Sequence, residues 1–106
     1  MDAISSRTID EVVRRIIEAV RPERIILFGS RAAGAADSGS DIDLAVVVSG
    51  DIHRRKTAQK IYMGLIGMAC SVDVIVLKPE DLEKYANSTC VIVPEILKAG
   101  KELYVA

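Results

Sequence analysis

Asp41 and Asp43 open the stretch DIDLAVVV, Asp41 to Val48, and set two carboxylates at the mouth of an otherwise apolar run. A charge on a buried strand is costly unless it is paired, hydrogen-bonded or bound to a cation. Strand side chains alternate, so the two acids share one face while Ile42 and Leu44 take the other. A third acid, Asp73, stands between Val72 and Val74 near the entrance of a second apolar run, SVDVIVLK. Carboxylates gathered around one point repel, and a hard divalent cation with oxygen preference relieves the repulsion. Magnesium is the expected ion. Just upstream, Gly29 lets backbone N–H groups approach a ligand, and Ser30 adds a hydroxyl donor at the start of a short helix. Such a turn suits phosphate oxygens. An anion cradle beside a carboxylate-held cation is what a magnesium-bound nucleoside triphosphate requires.

Taken singly, Asp41 reads equally well as a turn residue after Gly39 and Ser40, and Asp73 as a surface acid on an edge strand. Their combination with the glycine-serine turn favours the catalytic reading. Neighbouring motifs are excluded by residue type. Gly29 and Gly34 have P-loop spacing, but Ala35 and Ala36 stand where Lys and Ser or Thr are needed. No GxGxxG occurs, so a dinucleotide fold is unsupported. Asp37, Asp41 and Asp43 imitate the start of a calcium loop, yet the glycine position and the apolar strand that follows rule out an EF-hand. His53, the only histidine, has no partner set for zinc and reads as a surface residue at a helix start.

The elements that must position these residues follow from periodicity. Ile9, Val12, Val13, Ile16, Ile17 and Val20 recur at helical spacing, with Thr8 and Glu11 as a capping box and Pro22 as the stop. RIILF, Arg24 to Phe28, reads as a buried strand closed by Gly29. Ser30 to Ser40 begins as a short helix and ends as a turn. Asp41 to Val48 is the second strand, and a helix from about Ile52 to Ala69 carries Ile61, Leu65 and Met68 on one stripe. Gly64 and Gly67 interrupt that helix, and close packing on the sheet explains them. Ser71 to Lys78 is the third strand, and Pro79 opens a helix. A further helix holds Val91 to Ala99, Gly100 caps it, and KELYVA ends as a short edge strand or tail. The long helical connection between strands two and three implies a right-handed parallel crossover. The short excursion from strand one to strand two makes that pair antiparallel. The expected fold is α/β (α+β): a small mixed sheet with helices packed on it, and the acids gathered at one end.

At 106 residues the chain reads as one domain, residues 1–106. Its 14 basic and 15 acidic residues leave a net charge of −1, which argues against a chain built to wrap nucleic acid. Arg54, Arg55 and Lys56 read as a solvated helix face. No apolar run has the length of a signal-peptide core or a membrane helix, so a cytoplasmic location is expected. Cys70 and Cys90 are expected to be free thiols.

These residues carry a resemblance. Gly29-Ser30, ten intervening residues, Asp41-x-Asp43 and the later single acid Asp73 are similar to the DNA polymerase beta-like nucleotidyltransferases, specifically their minimal nucleotidyltransferase (MNT) group. The likeness spans nearly the whole chain, including DLEKYA and PEILKAGKELY; Ala33 departs from it, standing where relatives often carry a basic residue. The resemblance implies that ATP is the substrate and that AMP is transferred while pyrophosphate leaves. It implies that Asp41 and Asp43 coordinate magnesium, and that Asp73 holds a second ion or accepts the acceptor's proton. Ser30 would position the terminal phosphates. Arg31 would neutralise the leaving pyrophosphate, although an exposed or ion-paired arginine fits that position as readily.

Larger relatives append an acceptor-binding domain, so here the acceptor is expected to come from elsewhere. Members of the minimal group resemble the antitoxin half of HEPN-MNT pairs, which implies transfer of AMP to a tyrosine of a HEPN toxin. The alternatives are a binding module that neutralises its partner without catalysis, and the catalytic chain of a small-molecule enzyme completed by another helical subunit. An exposed apolar helix face would serve a homodimer or a heteromeric partner equally.

Overall fold

The computed structural model describes residues 6–29, 42–68, 71–85 and 100–106. The expectations for Ser30 to Ser40, for Asp41, for the two cysteines and for the helix Val91 to Ala99 lie outside those residues. The described elements run α1 (Ser6–Val20), β1 (Arg24–Phe28), β2 (Ile42–Val47), α2 (Arg54–Gly64), β3 (Val72–Leu77), α3 (Pro79–Tyr85) and β4 (Lys101–Val105). Among them no helix is long and apolar enough to cross a membrane.

The sheet order is β3-β2-β1-β4. β1 is antiparallel to β2 and to β4, while β2 and β3 are parallel, so the sheet is mixed as expected. The parallel pair is the one joined through α2, because a tight turn cannot return a chain to run in the same direction.

Alternation along the strands divides the core. On one face Ile25, Leu27, Ile42, Leu44, Val46 and Val76 pack against Val12 and Ile16 of α1 and Ile61 of α2. Each such buried side chain contributes roughly 1.5–3 kcal/mol. On the other face Ile26, Phe28, Ala45, Val47 and Leu77 pack against Leu82 of α3. Asp43 belongs by alternation to this second face, with Ala45 and Val47, and Asp73 joins it with Ile75 and Leu77.

Several local expectations are corrected. Thr8 lies inside α1, which already begins at Ser6, and the Glu11 carboxylate accepts from Arg14 and Arg15 instead of closing a capping box. Those two arginines, Arg14 first, hold the Glu11 carboxyl down at about 2. The second helix is shorter than Ile52 to Ala69: the exposed His53 caps it, its Nδ1 accepting from the Lys56 N–H at 3.3 Å. Gly64 packs against α1 rather than the sheet, since a Cβ there would lie 3.7 Å from the Ala19 Cβ. Gly67 falls beyond the helix in open space. Arg54 is not simply solvated, because its guanidinium donates to both oxygens of Asp81, at 2.9 and 2.7 Å.

Asp81 ties the start of α3 to the link that leaves β3 and to Arg54 of α2. Pro79 takes the first helical position, where a missing N–H costs nothing, and Asp81 reaches back to accept from the Lys78 N–H at 2.9 Å. Burial alone would raise the Asp81 carboxyl, but the Lys78 N–H and Arg54 outweigh it and hold it below its ordinary value. A carboxyl depressed in the folded state stabilises fully above the unfolded value near 3.8, and that contribution disappears as pH falls through the lower folded value. Replacing Asp81 with Ala is therefore expected to cost about 1–3 kcal/mol at neutral pH, since the Lys78 N–H loses its acceptor. In urea titrations at a series of pH values, the gap between variant and wild type should close only below about pH 4. A gap that is constant from neutral pH to well below that point would contradict the assignment.

Candidate active site

Three neighbouring strands bring the described part of the site together. β1 ends at Phe28, whose register partner on β2 is Asp43. Asp43 is in turn the register partner of Asp73 on β3. Partners on adjacent parallel strands point to the same face, so the two carboxylates stand side by side at one end of the sheet. Asp43 is half-buried and Asp73 exposed.

Gly29 follows directly on Phe28 and turns the chain with φ +77°, a left-handed conformation that residues with a Cβ rarely adopt. Its Cα lies against the Asp43 carboxylate. A Cβ built there would stand 2.5 Å from Asp43 Oδ2 and 3.3 Å from Cγ. Glycine thus has two physical reasons at this point: the backbone conformation, and the room it leaves for the acid. Ser30, Arg31 and Asp41, the remaining residues of the expected constellation, lie outside the described residues. Among the described residues no group of three or more Asp, Glu, His or Cys converges, so the described site is a pair of acids beside a bend.

The donor set at this end is two carboxylates on neighbouring strands. Oxygen ligands of that kind match a hard cation such as magnesium, and the repulsion between the two acids favours its binding. Hence the residues present fit the expected ion. A cavity of about 240 Å³ opens elsewhere, beside Val48 at the far end of β2, and is lined by Glu18, Arg21, Thr57 and Lys60. It contains neither acid, and its charges are of both signs.

Tyr62 belongs to none of the sequence motifs. Its hydroxyl accepts from the Val74 N–H, at the residue next to Asp73, over 2.9 Å. Periodicity could not single it out, because Tyr62 lies off the Ile61–Leu65 stripe and its partner is brought near only by the crossover.

A family model described as Polymerase beta, Nucleotidyltransferase matches residues 11–106. None of the curated proteins matches the chain. Among solved structures the fold is similar to that of a candidate nucleotidyltransferase from Sulfolobus solfataricus, with TM-score 0.66, 22% identity, and coverage of 93% of this chain and 78% of that one. A toxin-antitoxin structure with AMP-PNP matches with TM-score 0.62 at 24% identity, over 92% of this chain and 73% of the other. The complex of a tri-AMPylated Shewanella oneidensis HEPN toxin with its MNT antitoxin matches with TM-score 0.60 at 20% identity, over 97% of this chain and 74% of the other.

Proposed function

The chain belongs to the polymerase beta nucleotidyltransferase family, and on that premise we propose that it transfers AMP from ATP to a tyrosine hydroxyl of a HEPN-type toxin. The observation that carries the reading is the register of Asp43 with Asp73 beside the Gly29 bend. The similarity in fold to an MNT antitoxin bound to an AMPylated toxin supports the choice of acceptor.

Asp43 and Asp73, joined by Asp41, would hold magnesium, which would supply charge neutralisation for the triphosphate. The chain's own residues do the rest. Gly29 brings backbone rather than side chain against the phosphates, Ser30 donates to the terminal phosphate oxygens, and Arg31 balances the charge of the leaving group. Asp73, the more exposed acid, would hold a second ion or, in its place, accept the proton of the incoming hydroxyl. The hydroxyl oxygen forms a bond to the α-phosphorus as the bond to pyrophosphate breaks.

Incubation with α-labelled ATP, magnesium and a HEPN-type toxin tests the proposal. Label is expected on a tyrosine of that toxin. Unlabelled partner, in the presence of intact metal binding, would contradict it.

A further inference from the structure

Asp73 lies near the start of β3, which among the described residues is an edge strand with a sheet neighbour on one side only. The phase of the parallel ladder is set at its two ends. The Ile42 N–H donates to the Ser71 carbonyl and the Val48 N–H to the Leu77 carbonyl, each at 2.9 Å. The same offset aims the Asp73 carbonyl at the Leu44 N–H of β2 and turns the Val74 N–H outward, to the free edge. That outward group is the one that donates to the Tyr62 hydroxyl at 2.9 Å. One peptide unit, the unit immediately following the Asp73 Cα, is therefore held from both sides.

Tyr62 is not a core residue: it is 43% exposed. Nor does the edge N–H need it for solvation, because water would satisfy an exposed donor at little cost. What the hydroxyl adds is restraint of the backbone that carries Asp73. Its own support is firm. The Arg15 guanidinium donates to the carbonyls of Gly64 and Ile66, at 3.3 and 3.0 Å, and fixes the end of α2 against α1.

We propose that Tyr62 is a positioning residue for Asp73, fixing the edge acid at the spacing from Asp43 that a divalent cation requires. The inference rests on reading Asp43 and Asp73 as the cation-binding pair. Supporting shells of this kind change metal affinity by tenfold or more when removed.

Manganese, which takes the same oxygen ligands and is visible by paramagnetic resonance, provides the readout. Affinities are measured for wild type, Tyr62→Phe, Asp73→Asn, the double variant and Asp43→Asn, alongside amide exchange at Val74. Tyr62→Phe keeps the ring and is expected to weaken manganese binding about tenfold. It should have no further effect once Asp73 is Asn. The Val74 amide should exchange slowly in wild type and faster in Tyr62→Phe. Unchanged affinity in Tyr62→Phe, an equal loss in both backgrounds, or self-association as its sole consequence would overturn the proposal. So would rapid Val74 exchange in the wild type, which needs no variant to fold. Should Asp43→Asn also leave manganese affinity unchanged, the acid pair itself has been misread. Dependence on Asp43 and Asp73 without dependence on Tyr62 places the error in this inference alone.

Discussion

Replacement of Asp43 by Asn is expected to lower nucleotidyl transfer by roughly 10²–10³-fold while leaving the protein folded. The substitution keeps size and removes one negative charge from the place where Asp43 faces Asp73 across the parallel pair. Metal binding is expected to weaken with it, because an amide oxygen is a poorer ligand for a hard ion than a carboxylate. The core offers a check. Leu44, Val46 and Ile42 on the opposite face are untouched and fully buried, and like charges in register are destabilising, so relieving that pair offsets what the change costs in stability. Transition midpoints close to wild type, with transfer nearly abolished, are the predicted signature. Loss of activity in step with loss of folding would assign Asp43 to the scaffold. In cells, full neutralisation of the partner by Asp43→Asn would favour binding without chemistry.

The second large effect belongs to Gly29→Ala. The new Cβ would stand 2.5 Å from Asp43 Oδ2, closer than two such atoms can approach, so either the bend or the carboxylate moves. A left-handed alanine adds about 1–2 kcal/mol of its own. Displacement of a catalytic group by about 1 Å costs on the order of 10²-fold in rate, and a loss of that size is expected here. Gly50→Ala separates the two contributions. Gly50 has an even more positive φ, +94°, but a Cβ there meets nothing within 4 Å. It should destabilise by about as much and leave the rate of transfer unchanged. Equal losses of activity in the two variants would mean that backbone strain, not contact with Asp43, gives Gly29 its importance.

Why some features were legible in the residues and others were not follows from the range of the interactions involved. RIILF is a short apolar run bounded by Pro22 and Gly29, and β1 occupies it as Arg24–Phe28; β2 and β3 follow the same logic to within a residue. The face that carries Asp43 and Asp73 was readable because alternation is a local rule and each acid is the polar member of an apolar run. Helix ends were less readable, since competing partners decide them. Glu11 had the spacing of a cap but lies among two arginines that bind it more strongly, and His53, a poor cap by type, ends up serving as one. The Arg54–Asp81 pair and the Tyr62–Val74 bond join residues on different elements, brought together by the crossover and the α3 turn, so the periodicity of one element does not reveal them. Gly64 showed its need for close packing but not against what, and the answer, Ala19, is 45 positions away on α1.

A crystal grown with manganese and a non-hydrolysable ATP analogue, with the metal located from its anomalous scattering, tests the whole account at its centre. The predicted result is a metal peak about 2.1 Å from carboxylate oxygens of Asp43, with Asp73 beside it, and the triphosphate lying over the Gly29 bend. Nucleotide and metal bound at another end of the sheet, with Asp43 and Asp73 untouched, would contradict it.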